Sequence, residues 1–176
     1  MKAFLLSVFY LLIVGHETKV FDACELFYLL RSYGMDSSTW TGLHQFVCLA
    51  TFASNLTTNY FTSEGDHPYY GLFRLNGAKW CSNGKQASKN KCSIACDKFL
   101  DEDIKDDTEC VKKVIGDKEI VSSKQFSEWP LYEKHCGVEA ITIIALRCVM
   151  FFPMSEWFQQ LLKKKKENPL HIKVHK

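Results

Sequence analysis

The sequence predicts an α+β domain, with a helical part and a small antiparallel β part held together by disulfides. Three observations lead there. Helical apolar spacing occupies both ends of the body, a Gly-, Asn- and Thr-rich middle carries short aromatic stretches, and eight cysteines follow an apolar leader. Helices, then brief strands, then helices again give that class.

Residues 4–15, FLLSVFYLLIVG, form an apolar run after Lys2. This is the pattern of a signal-peptide core, and it is too short to span a bilayer comfortably. Cleavage after Gly15 or Thr18 fits, so residues 1–18 are assigned to the leader and about 158 residues remain, the length of one domain. The stretch ACELFYLLRSY, residues 23–33, reads as the first helix, with Gly34 placed for a left-handed cap. Ser37, Ser38 and Thr39 offer caps to a second helix, in which Leu43, Phe46, Val47 and Ala50 share one face. Between residues 54 and 91 the fragments NYFT and YYGLFRLNG suit two or three short strands. Helical spacing returns at 107–115, where Cys110, Val111, Val114 and Ile115 align and Gly116 stops the run. A helical turn around Trp129 and an apolar helix over 138–148 complete the body. There is no internal repeat, P-loop, dinucleotide fingerprint or nucleophile elbow.

All the cysteines, at 24, 48, 81, 92, 96, 110, 136 and 148, lie beyond the leader. An even count in that context implies four disulfides in an oxidising compartment, each contributing roughly 2–4 kcal/mol, although counting leaves their pairing open. Cys92-x3-Cys96 has no second pair at matching spacing, which argues against structural zinc. Asn55-Leu56-Thr57 is an N-glycosylation sequon. The net charge of +2 is uneven: six lysines and two glutamates follow Cys148, so the body is mildly acidic and the tail basic. A nucleic-acid partner is not expected, since it would ask for a basic folded surface. In the tail, residues 149–176, Met154, Trp157, Phe158, Leu161 and Leu162 fall on one helical stripe ahead of Lys163–Lys166. That pattern suits weak contact with an anionic membrane surface or docking on a partner.

Lys19-Val20-Phe21-x-x-Cys24-Glu25-Leu26, Phe46-Val47-Cys48, Tyr70-Gly71-Leu72-Phe73, Trp80-Cys81 and Cys110-Val111-Lys112-Lys113 together resemble the c-type lysozyme and α-lactalbumin family. The match covers about residues 19–148 and takes in every cysteine. The resemblance implies a lysozyme-like fold with pairs 24–148, 48–136, 81–96 and 92–110. One departure is extra length between Cys110 and Cys136, placed as a longer loop within 116–127.

The stretch DKFLDEDIKDD, residues 97–107, holds five aspartates and one glutamate. Asp106 and Asp107 alone would suit the positive end of the following helix at about 0.3–1 kcal/mol each. Asp101 and Asp103 are not explained that way. Crowded carboxylates repel unless a cation neutralises them, and calcium asks for about six to eight oxygens. The resemblance implies a calcium elbow here: side chains of Asp101, Asp106 and Asp107, backbone carbonyls of Lys98 and Asp103, and water. It is not an EF-hand, because the central Gly and closing Glu of that loop are missing.

Glycoside hydrolysis in the family needs a protonated Glu in an apolar pocket and a second carboxylate across the scissile bond. The resemblance places these at Ala53 and Tyr69, neither of which can do the work. Glu64 and Asp66 are the nearest acids to Tyr69 in sequence. Asn76, Trp80 and Trp129 stand at the family's glycan-cleft positions, while Lys79 replaces an aromatic platform. The Gln-Trp of α-lactalbumin before the last cysteine reads Ala145-Leu146, and the His ahead of its cleft is Phe52.

The expectation is therefore a secreted, monomeric, calcium-binding lysozyme-like protein without glycosidase activity, acting by binding a glycan or an extracellular protein. The alternatives are a muramidase with atypical catalytic groups, a modifier of a galactosyltransferase, and a membrane-active defence protein working through its tail.

Overall fold

The computed structural model describes residues 18–35, 42–64, 67–117 and 125–148. The assigned leader up to residue 17, the caps at Ser37, Ser38 and Thr39, Asp66, residues 118–124 of the long connection and the tail from 149 lie outside the described residues.

Helix α1 (Ala23–Ser32) starts on Asp22, whose carboxylate accepts the Cys24 N–H at 2.8 Å. Its end is a Schellman motif. Gly34 adopts φ +68°, its N–H donates to the Arg31 carbonyl, and the Met35 N–H reaches back to the Leu30 carbonyl at 3.1 Å. Helix α2 (Gly42–Ser54) buries Leu43, Phe46, Val47, Leu49, Ala50 and Ala53, nearly its whole circumference. It is the central helix of the molecule, which is where an apolar surface on all sides belongs.

Three antiparallel strands follow in the order β1 (Phe61–Glu64), β2 (His67–Tyr70) and β3 (Leu75–Asn76). The register sets Phe61 against Tyr70 and Tyr69 against Asn76. Beyond the sheet a 3₁₀ turn, Cys96–Leu100, leads through a short loop into α3 (Lys105–Ile115). This helix opens two residues earlier than its apolar spacing suggests. The acids at 106 and 107 occupy its first turn, where its partial positive charge favours them.

Helix α4 (Pro130–His135) takes Trp129 as its N-cap and Pro130 in its first turn, so the helical turn expected around Trp129 lies after it. Residues 138–148, up to the end of the described segment, are helical and are called α5. Its Arg147 pairs with Asp22 at 3.1 Å, tying α5 to the start of α1.

The disulfides are Cys24–Cys148, Cys48–Cys136, Cys81–Cys96 and Cys92–Cys110, the pairs implied by the resemblance. One apolar cluster runs through both parts, joining Leu26, Leu30 and Val47 to Leu72, Phe73, Phe99 and Val111. The β part is therefore anchored in the helical core, and the groove between them has a fixed floor.

Candidate functional site

Two features stand at the junction of the helical and β parts: the acidic elbow and a pocket over α2. In the elbow, Lys98 lies in the 3₁₀ turn, Asp101 caps that turn, Asp103 sits in the loop, and Asp106 and Asp107 open α3. Three of the acids hold the loop's backbone. Asp101 Oδ1 accepts from the Asp103 N–H, Asp103 Oδ1 from the Lys105 N–H, and Asp106 Oδ1 from the Asp107 N–H, at 2.9–3.1 Å.

Asp107 is different. It is 1% exposed, and neither of its carboxylate oxygens meets a hydrogen-bond donor. Burial pushes its carboxyl well above the usual carboxylate range, and the charges of Asp106 and Asp101 add to the shift. Burial also raises Asp106, with Asp101 in the same direction, against the opposing Asp107 N–H. A buried acid without a donor is costly unless it stays protonated or meets a cation. Among the described residues, no three acid, His or Cys side chains converge into a ready-made metal cluster. The donor chemistry suits a hard cation, and the carboxylates must turn inward to enclose one.

Gly71 ties this elbow to the sheet. It follows β2 with φ +75°, and a Cβ there would strike the Phe99 carbonyl oxygen and come within 2.9 Å of Asp107 Oδ1. Gly71→Ala is accordingly expected to cost at least about 2 kcal/mol, from the left-handed backbone and the clash together, as read by chemical denaturation. An unchanged midpoint would show that the strand and the elbow do not meet as closely as described.

The pocket, about 300 Å³, is lined by Leu49 and Ala53 of α2, Tyr69 of β2, Arg74, and residues 128–131. Ala53 is buried. The Tyr69 hydroxyl accepts from Asn76 Nδ2 at 3.5 Å, and the Arg74 guanidinium lies over the Tyr60 and Tyr69 rings. Glu128 is the one carboxylate among the described lining residues, and the Lys79 ammonium holds both its oxygens, at 2.9 and 3.0 Å. This ion pair joins the turn after β3 to the segment before α4. It therefore bridges the β part to the helical part at the pocket's edge.

The two tryptophans expected in a glycan cleft are both largely buried. Trp80 is 3% exposed and Trp129 is 5% exposed, and of the two Trp129 lines the pocket. The Trp129 indole N–H donates to the Phe73 carbonyl at 2.6 Å. Asn76 spends its amide on Tyr69 and its carbonyl on the Ala78 N–H. Asn55 is exposed just after α2.

A family model described as C-type lysozyme/alpha-lactalbumin matches residues 19–148. The chain belongs to this family. It is 40% identical over 120 residues to the milk isozyme of lysozyme C from Equus caballus, a match covering 67% of this chain and 89% of the horse protein. Among solved structures, lysozyme from Equus asinus aligns with a TM-score of 0.65 at 36% identity, covering 74% of this chain and 98% of the other. A structure described as a calcium binding lysozyme from equine milk aligns with a TM-score of 0.59 at 40% identity, over 67% of this chain and 89% of that one.

Within the lysozyme and α-lactalbumin frame, Ala53 and Tyr69 do face one pocket. The structure thus brings together the two positions where the resemblance places the reacting carboxyls, with a methyl group and a phenol in their place. The sequence reading missed Arg74 and Glu128. Glu128 stands just before Trp129, but nothing in the chain's pattern signals that Lys79, 49 residues away, is its partner.

Proposed function

We propose that this chain is a secreted, calcium-binding member of the lysozyme and α-lactalbumin family without glycosidase chemistry, acting by binding an extracellular protein or the end of a glycan. The observation that carries this reading is the pocket itself. Ala53 has no proton to give, Tyr69 supplies no carboxylate, and the one acid of the described lining is held by Lys79. An ion pair across the groove and two buried tryptophans disfavour a long polysaccharide laid along it. The lysozyme-like unit is taken as residues 19–148, after a leader over 1–18 and before the 149–176 tail.

The calcium part rests on Asp107. Its two oxygens are buried and without donors, beside two further carboxylates. The side chains of Asp101, Asp106 and Asp107 and the carbonyls of Lys98 and Asp103 would hold the ion, with water completing the shell. Bound calcium would supply the positive charge that this elbow lacks. Its effect would reach the pocket through Gly71, which packs against Phe99 and Asp107 and follows the strand carrying Tyr69. The relative described as a calcium binding lysozyme supports the assignment.

A glycan array on the purified mature protein, with calcium and with chelator, separates the two kinds of partner. A calcium-dependent signal from short or terminal saccharides places the ligand among glycans, and a blank array places it among proteins. Release of new reducing ends from soluble peptidoglycan or chitin would sink the binding reading.

A further inference from the structure

Neighbouring residues of a strand point to opposite faces of its sheet. Tyr69 lines the pocket over α2, and Tyr70 accordingly lines a second hollow on the other side of the sheet. Phe61 of β1 pairs with Tyr70 in register and lines the same hollow, its ring packed against the tyrosine yet the residue 54% exposed. The hollow holds about 870 Å³ between the sheet, the loop 82–86, the stretch from Asn90 to Cys96 and the 3₁₀ turn at Asp97 and Leu100. It shares no described lining residue with the pocket over α2.

Its walls are built in advance of any ligand. The Cys81–Cys96 disulfide staples the two loops, the Ser82 N–H donates to the Ile94 carbonyl at 2.9 Å, and the Cys96 N–H returns to the Ser82 carbonyl at 3.0 Å. Asn83 fixes the rim: its Nδ2 donates to the Tyr70 hydroxyl at 3.1 Å, and its Oδ1 accepts the Lys85 and Gln86 N–H groups at 2.9 and 3.0 Å. Space is open over Gly84, where nothing lies within 4 Å of the position a Cβ would take.

We propose that this hollow is a second binding site, for a short neutral saccharide, with Phe61 as its platform. A half-exposed ring offers a flat apolar surface to the C–H side of a pyranose. Around it the exposed hydroxyls of Ser63 and Ser93 and the amide of Gln86 supply donors and acceptors for sugar hydroxyls. Lys85 and Asp97 set opposite charges on the rim, so an anionic chain gains no net attraction. Phe61 is also the one large apolar side chain exposed among the described lining residues, which leaves a protein partner no contiguous apolar core to bury.

The test is an NMR titration of the full mature chain with lactose, cellobiose and N,N′-diacetylchitobiose, each at millimolar concentration. At least one of them is expected to shift the Phe61 ring and the side-chain amides of Asn83 and Gln86. Phe61→Ala should weaken that binding at least about fivefold, and Phe61→Tyr, which keeps the ring, should leave it within about twofold. Gln86→Ala changes an exposed loop residue and should weaken the same binding, so the test stays decisive if Phe61→Ala disturbs the sheet. Absence of those shifts with all three sugars would overturn the proposal. So would shifts confined to Tyr69 and Trp129, which would place the sugar in the pocket over α2, or binding that both alanine variants leave unchanged.

Discussion

Calcium at a hundredfold excess over its Kd is expected to raise the melting temperature of the mature protein by roughly 5–10 °C over the same protein in chelator. A ligand of the folded state at that concentration adds about 2.7 kcal/mol, and one kcal/mol moves a domain of this size by about 2–4 °C. The cause is Asp107. Its folded pKa is raised by burial and by Asp106 and Asp101, so the neutral acid favours the metal-free fold. That contribution is complete below the ordinary carboxylate pKa of 3.8 and is lost as pH rises through the raised folded value. Calcium binds the ionised form, so the calcium increment should be small near pH 4 and grow toward pH 7. Asp107→Asn separates the two effects. The metal-free variant should melt no lower than the unmodified protein in chelator at pH 7, since the buried charge is gone, and it should no longer respond to calcium. Identical melting curves for the unmodified protein with calcium and with chelator would remove the site.

The sequence carries the elbow's composition but not its hierarchy. Five aspartates between 97 and 107 look alike in the chain, and only packing separates them. Asp101, Asp103 and Asp106 accept from backbone N–H groups of the loop, while Asp107 is almost fully buried with Gly71 close to its Oδ1. Local signals were read correctly where local physics decides. Gly34 ends α1 in the left-handed conformation its position demands, and the fragment YYGLFRLNG supplies the end of β2 and all of β3, with a turn between them. Tertiary contacts were not legible. Trp80 and Trp129 have the residue type of a sugar platform, and the fold packs both into the core, with Trp129 also at the wall of the pocket. The Lys79–Glu128 pair is equally hidden, since opposite charges far apart in sequence are common and only the fold brings these two together.

No release of reducing ends from peptidoglycan or chitin oligosaccharides above background is expected from the unmodified protein, with or without calcium. General acid catalysis commonly contributes about 10^2–10^4-fold, and the second carboxylate is absent as well. Ala53→Glu alone should leave turnover at background. The pocket has room for the new side chain, but Tyr69 still occupies the opposite wall and brings no negative charge. Ala53→Glu with Tyr69→Asp should give a detectable rate, at least about a hundredfold below that of the horse milk lysozyme assayed beside it. The shortfall has a structural source, because the Lys79–Glu128 pair still joins the two sides of the pocket's edge and Lys79 stands where the family has an aromatic platform. Adding Lys79→Ala to the double variant should therefore raise the rate further. Clear turnover by the unmodified protein would overturn the binding reading. Glu128→Gln would then be the first variant to make, since Glu128 is the acid already at the pocket, followed by substitutions at Glu64 and Asp66.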